Sequence, residues 1–149
     1  MEHDPPDLNI VSHLLNALFS MVEAERKKQG IPNDQLNRTQ NITFKNFLKI
    51  LEENYHRPVG VDFYAQKLFM STRNLNLICN NILNQSVTEI IETRKMIEAK
   101  NLLIHSHKTI SEIGFDLGYK EKSHFTSVFK RKSGQTPTDF RNEMKKHLS

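Results

Sequence analysis

The stretch TISEIGFDLGYKEKSHFTSVFKRKSG, residues 109–134, reads as two short helices separated by a tight turn. Thr109 and Glu112 are three apart, the spacing of a capping box, in which the hydroxyl accepts from the N3 amide and the carboxylate accepts from the N-cap amide. Ile110, Ile113 and Leu117 then recur at helical intervals. Gly118-Tyr119 turns the chain, and Phe125, Val128 and Phe129 mark a second helix from about Lys122 to Ser133. Gly134 closes it, since the left-handed conformation of a C′ residue costs glycine little. Thr136-Pro137 opens a last helix as N-cap and N1.

Upstream, the same reasoning makes the chain helical from Asn41 onward, with no alternating apolar run long enough for a strand. Phe44, Phe47, Leu48 and Leu51 face one way, and their helix should stop before Arg57-Pro58, because the residue before proline disfavours helical angles. Val61–Leu68 and Ser71–Leu83 are two short helices around Phe69-Met70. From Ser86, paired with Glu89 as a second capping box, one helix runs to about His105, roughly 30 Å at 1.5 Å per residue.

Compared with itself, the chain shows a repeat. Ala65, Leu68 and Met70 correspond to Gly114, Leu117 and Tyr119 at an offset of 49. After one extra residue in the second turn, Leu75, Ile78, Cys79 and Asn84 correspond to Phe125, Val128, Phe129 and Gly134 at an offset of 50. Ala65 and Gly114 are small where two crossing helices would touch, and the apolar residues after them fill the angle. That is the requirement of a helix-turn-helix, whose second helix lies in the major groove of DNA. One such pattern is weak; two, separated by one long capped helix, are strong.

The second copy resembles the DNA-binding domain of the AraC/XylS family of bacterial transcription regulators. The resemblance is carried by Ile110-Ser-Glu-Ile113-Gly-Phe-Asp-Leu117-Gly118-Tyr119, Ser123-His-Phe125, Val128-Phe129-Lys130 and Gly134-Gln-Thr136-Pro137-Thr-Asp-Phe140-Arg141. Arg94 and Ala99-Lys-Asn-Leu102-Leu103 extend it through the long helix, and its span is about Phe44 to Arg141. It implies an all-α fold: two helix-turn-helix subdomains, at about 61–84 and 110–133, joined by a linking helix at about 86–105, in a domain of residues 41–149. The first copy departs from the family pattern: Asn84 stands for a glycine, Val87 for a proline, Cys79 for a bulky aromatic and Leu77 for an arginine. In the second copy Gly114 stands for an alanine, at roughly 1 kcal/mol of helix propensity.

The resemblance assigns DNA contact in the second recognition helix to Lys122, Ser123, Thr126 and Ser127, with His124 at the margin and Lys130 and Arg131 at the far end, where phosphate and solvent are alternatives. In the first it points to Arg73, Asn74, Asn76, Leu77 and Asn80. The asparagine amides suit adenine N6 and N7, and an apolar contact with a thymine methyl is the alternative. Phe125, Phe129, Ile113 and Leu117 are core positions by spacing.

The charge distribution fits this partner. The chain carries 21 Lys and Arg against 17 Asp and Glu, net +4. Residues 1–42 hold four basic and six acidic side chains, whereas residues 43–149 hold 17 and 11. A basic body suggests a polyanion, here double-stranded DNA; a basic module that binds an acidic protein without reading sequence is the alternative. RNA polymerase is a further partner implied by the resemblance, as is activation. The expected location is the cytoplasm, at the bacterial nucleoid. No stretch approaches the roughly 20 apolar residues of a membrane span, and residues 1–7 have no signal-peptide pattern. The single cysteine, Cys79, excludes an internal disulfide and a multi-cysteine zinc site. Its inward place on a short helix reads as a packed thiol. His105 and His107, two apart, fall on different helix faces with no third ligand of matching spacing. Neither catalytic residues, a metal nor a cofactor is expected.

Residues 1–40 read as an N-terminal amphipathic helix and linker. Val11, Leu14, Leu15, Leu18, Met21 and Val22 form one stripe on Leu8–Lys28, and Gln29–Gln40, with Gly30, Pro32, Asn33 and Asp34, reads as a turn or linker. The stripe needs something to pack on. It is read either as a homodimerising element or as the end of a sensing domain that precedes this region, with the fragment reading favoured.

Overall fold

The structure, a computed structural model, describes residue 21 and residues 34–148. Among these residues it contains seven helices and no strand: α1 (Asp34–Asn54), α2 (Val61–Lys67), α3 (Thr72–Leu83), α4 (Val87–His105), α5 (Ile110–Asp116), α6 (Lys122–Ser133) and α7 (Pro137–Leu148). The amphipathic stripe at Val11, Leu14, Leu15, Leu18 and Val22 lies outside the described residues, and Met21 is exposed. The helix before Pro58 begins at Asp34 instead of Asn41. The helix breakers Gly30 and Pro32 both precede it, and nothing from Gln35 to Gln40 opposes a helix, so the expected linker is shorter at its C-terminal side.

The described residues form two compact units: 34–53 with 61–87, and 54–60 with 88–148. In the first, Phe44, Phe47, Leu48 and Leu51 of α1 are buried with Tyr64 and Ala65 of α2 and Leu75, Cys79 and Ile82 of α3. The Phe47 and Tyr64 rings meet edge to face at 5.6 Å. Ser71 caps α3, its Oγ accepting from the Asn74 amide at 3.1 Å. Asn84 ends α3 at φ 56, taking the left-handed role that glycine has in the other copy.

In the second unit, Met96, Ala99 and Leu103 of α4 are buried with Ile113 and Leu117 of α5, Phe125, Val128 and Phe129 of α6, and Phe140 of α7. The Thr109–Glu112 capping box is present in full, and Gly134 ends α6 at φ 83. Arg141 of α7 closes the C-terminal end of α4, its Nε donating to the Leu103 carbonyl at 3.0 Å and its Nη2 to the Ser106 carbonyl at 3.4 Å. The carbonyls at that helix end are those left without helical partners, and a cation suits their negative dipole end.

Gly114 is explained by its partner across the crossing. A Cβ there would lie 3.0 Å from Phe125 Cβ and 3.1 Å from Cγ, so the small residue answers the larger Phe125; the corresponding positions of the first copy are Ala65 and Leu75, both buried. Its propensity cost is offset by room for an aromatic core residue.

Candidate nucleic-acid interface

In the first unit α3 is held against α2 by Leu75, Cys79 and Ile82, which turns the opposite face outward. Arg73, Asn74 and Asn80 are exposed there, and Leu77 is 51% exposed. Asn76 is different. It is half-buried, and its Oδ1 accepts from the Val87 amide at 2.9 Å, satisfying a donor at the start of α4. A bidentate adenine contact would share that oxygen with the Val87 amide, so Asn76 is engaged in the fold as well as standing in the expected reading set. Burial pushes the Cys79 thiol up to about 12, which keeps it protonated and unreactive.

In the second unit α6 buries Phe125, Val128 and Phe129 and turns out Lys122, Ser123, His124, Ser127 and Lys130, with Thr126 half-buried. The exposed set offers two ammonium groups, two hydroxyls and an imidazole along a single helix face, all of them groups able to reach phosphates or base edges. The His124 ring stands edge-on to Tyr119 at 5.1 Å. Arg131 is exposed but pairs with Glu92 of α4, and the Lys132 ammonium reaches the Glu89 carbonyl at 3.5 Å. A phosphate would have to compete with Glu92 for Arg131, so its expected contact with DNA is opposed by an internal one.

Sequence spacing missed the buried side chain that holds the turn of this motif. Lys95 is 6% exposed, and its ammonium donates to the Leu117 carbonyl and, at 3.3 Å, to the Arg57 carbonyl, 5.2 Å from the centre of the Tyr119 ring. It ties α4 to the end of α5 and to residues 54–60. Burial pushes it down to about 8. Burial, then the Glu92 carboxylate, push the Tyr119 phenol up to about 12 against the opposing Arg131 charge. Nothing in the local pattern marks Lys95, because its acceptors lie 22 and 38 residues away.

Among the described residues no three His, Cys, Asp or Glu side chains gather to hold a metal ion, and no helix is long and apolar enough to cross a membrane.

A family profile described as a helix-turn-helix domain matches residues 64–143. The HTH-type transcriptional regulator ArgR of Pseudomonas aeruginosa is 27% identical over 143 residues, covering 89% of this chain and 42% of ArgR. The regulatory protein SoxS of Salmonella typhimurium is 29% identical over 94 residues, covering 63% of this chain and 88% of SoxS. The chain thus spans less than half of ArgR but the length of most of SoxS. Among solved structures, the DNA-binding domain of the global transcriptional factor AdpA in complex with a target DNA shares the fold, with a TM-score of 0.65 and 18% identity over 69% of this chain and 93% of that one.

Proposed function

Since the chain belongs to the AraC-type helix-turn-helix family of DNA-binding transcription regulators, we propose that it is a sequence-specific regulator that inserts α3 and α6 into successive major grooves and activates transcription. The observation that carries the reading is the duplicated motif, each copy with an apolar inner face and an outer recognition-helix face of polar and cationic side chains. Arg73, Asn74, Leu77 and Asn80 serve one groove; Lys122, Ser123, His124, Thr126, Ser127 and Lys130 serve the next, about 34 Å along the duplex. The chain divides into a head and a DNA-binding domain, the boundary expected at about residue 40 falling before Asp34, where α1 begins. Short hydroxyls and amides supply base discrimination, and Arg73, Lys122 and Lys130 supply the salt-sensitive phosphate contribution.

The activator role, with RNA polymerase as partner, and a place at the nucleoid in the cytoplasm go with this reading. Of the two readings of the head, dimerisation through Val11, Leu14, Leu15, Leu18, Met21 and Val22 is the one open to a direct test. Sedimentation of the whole chain tests that part: a monomer–dimer equilibrium that Leu18→Asp abolishes supports it, and an equilibrium unchanged by Leu18→Asp rejects it.

Selection from random duplexes tests the main reading. Enrichment of one motif of about 15 to 20 base pairs, the span of two successive groove sites, is expected. Equal retention of every duplex and of other polyanions would favour the basic interaction module instead.

A further inference from the structure

Phe69 is the side chain that the fold leaves least accounted for. It lies between α2 and α3 at φ 56, in the left-handed region where a bulky residue is an outlier. It is also 97% exposed, so no burial within the described protein offsets the strain. The corresponding residue of the second copy is Gly118, at φ 89, and among the described residues the other non-glycine residue at positive φ is Asn84, a type that tolerates it. The backbone is pinned on both sides: the Phe69 amide donates to the Gln66 carbonyl at 3.1 Å and the Met70 amide to the Ala65 carbonyl at 3.0 Å. Glycine or asparagine would fit this turn with less strain, which points to a use for the ring outside the chain.

Its neighbours indicate the chemistry of that use. Ser71, two residues on, is the N-cap of the recognition helix, and Arg73 and Asn74 are exposed in its first turn. Lys67, two residues back, is exposed at the end of α2, its ammonium 5.6 Å from the centre of the Phe63 ring. A ring set between two cations at the leading end of a recognition helix suits a surface that alternates phosphate with apolar sugar and methyl groups. We propose that Phe69 is a further DNA-contacting residue, its ring packed on the deoxyribose edge of the groove that α3 enters, with Lys67 and Arg73 on the flanking phosphates. The inference rests on the DNA-binding reading above and adds a residue to it.

The test uses the whole chain, a fluorescent 30-base-pair duplex carrying the motif enriched by selection, and the variants Phe69→Asn and Arg73→Gln. Asparagine accepts the left-handed conformation, so Phe69→Asn should unfold at the same or a higher temperature while binding about tenfold more weakly. Its affinity should keep the parent's dependence on salt, because no charge is lost, whereas Arg73→Gln should flatten that dependence. Unchanged affinity in Phe69→Asn beside weakened binding in Arg73→Gln would overturn this inference and leave the DNA reading intact. A loss of affinity accompanied by a lower unfolding temperature would also overturn it, by making the ring a support of the fold. Failure of the parent chain to enrich any duplex would overturn both.

Discussion

Replacing Gly118 by alanine addresses the point on which the second motif turns. At φ +89 the glycine holds a left-handed conformation, and an added Cβ would fall 2.6 Å from the Arg57 carbonyl oxygen, 2.7 Å from its carbon and 2.9 Å from Pro58 N. All three obstacles are backbone atoms, so no side chain can swing aside. The conformational cost of alanine there is roughly 1 kcal/mol. The enforced shift of residues 57–58 adds about 2 kcal/mol, within the range for overpacking. Lys95, which donates to the Arg57 and Leu117 carbonyls, would be displaced by the same shift. A total of about 3 kcal/mol corresponds to a fall in Tm on the order of 15 °C for a unit of this size. Gly134→Ala is the internal control: its φ is +83, but nothing lies within 4 Å of an added Cβ. It carries only the conformational part, about 1 kcal/mol. Thermal unfolding followed by circular dichroism compares the two. Equal shifts in both variants would refute the claim that residues 54–60 press against the turn.

Three further outcomes follow from the same unit. Lys95 titrates at about 8 when folded, below its ordinary value of 10.5, so above pH 8 the unfolded chain holds a proton that the folded chain lacks. Stability to urea should therefore rise from pH 8 to pH 9 and the rise should vanish in Lys95→Met; above pH 9 the raised Cys79 thiol opposes the trend. The Tyr119 hydroxyl is buried without a hydrogen-bond partner among the described residues, so Tyr119→Phe should raise stability by about 1 kcal/mol in urea unfolding, and a loss would show that the hydroxyl is satisfied. Fluorescence anisotropy at several salt concentrations should give Lys122→Gln a slope of log K against log salt smaller by about 0.9, while Arg131→Gln, whose parent side chain is held by Glu92, keeps the parent slope.

Much of the fold was legible because its signals are local. The Thr109–Glu112 box, Gly134 and Thr136-Pro137 act within one helical turn, and each marks a helix end in the structure. The start of α1 at Asp34 is not legible in the sequence because the polar composition around it resembles a linker, although no residue from 35 to 40 breaks a helix. The site was harder to read. Asn76 stands in the expected reading set, yet it also bonds the amide of Val87, 11 residues on. Arg131 reads as facing phosphate or solvent, yet it has a carboxylate partner from 39 residues earlier in the chain. Lys95 carries no mark in the sequence, and only the convergence of two distant carbonyls makes it a buried brace. Periodicity reports which face is apolar; it carries no record of which polar groups find distant backbone partners.

Methylation interference on the duplex selected by the whole chain is the most direct measurement of how the two recognition helices are used. Guanine N7 faces the major groove, so engagement by both α3 and α6 predicts two interfering clusters centred one helical turn apart, about 10 base pairs. Arg73→Gln should weaken one cluster and Lys122→Gln the other. A single cluster shorter than one turn, altered alike by both substitutions, would contradict it.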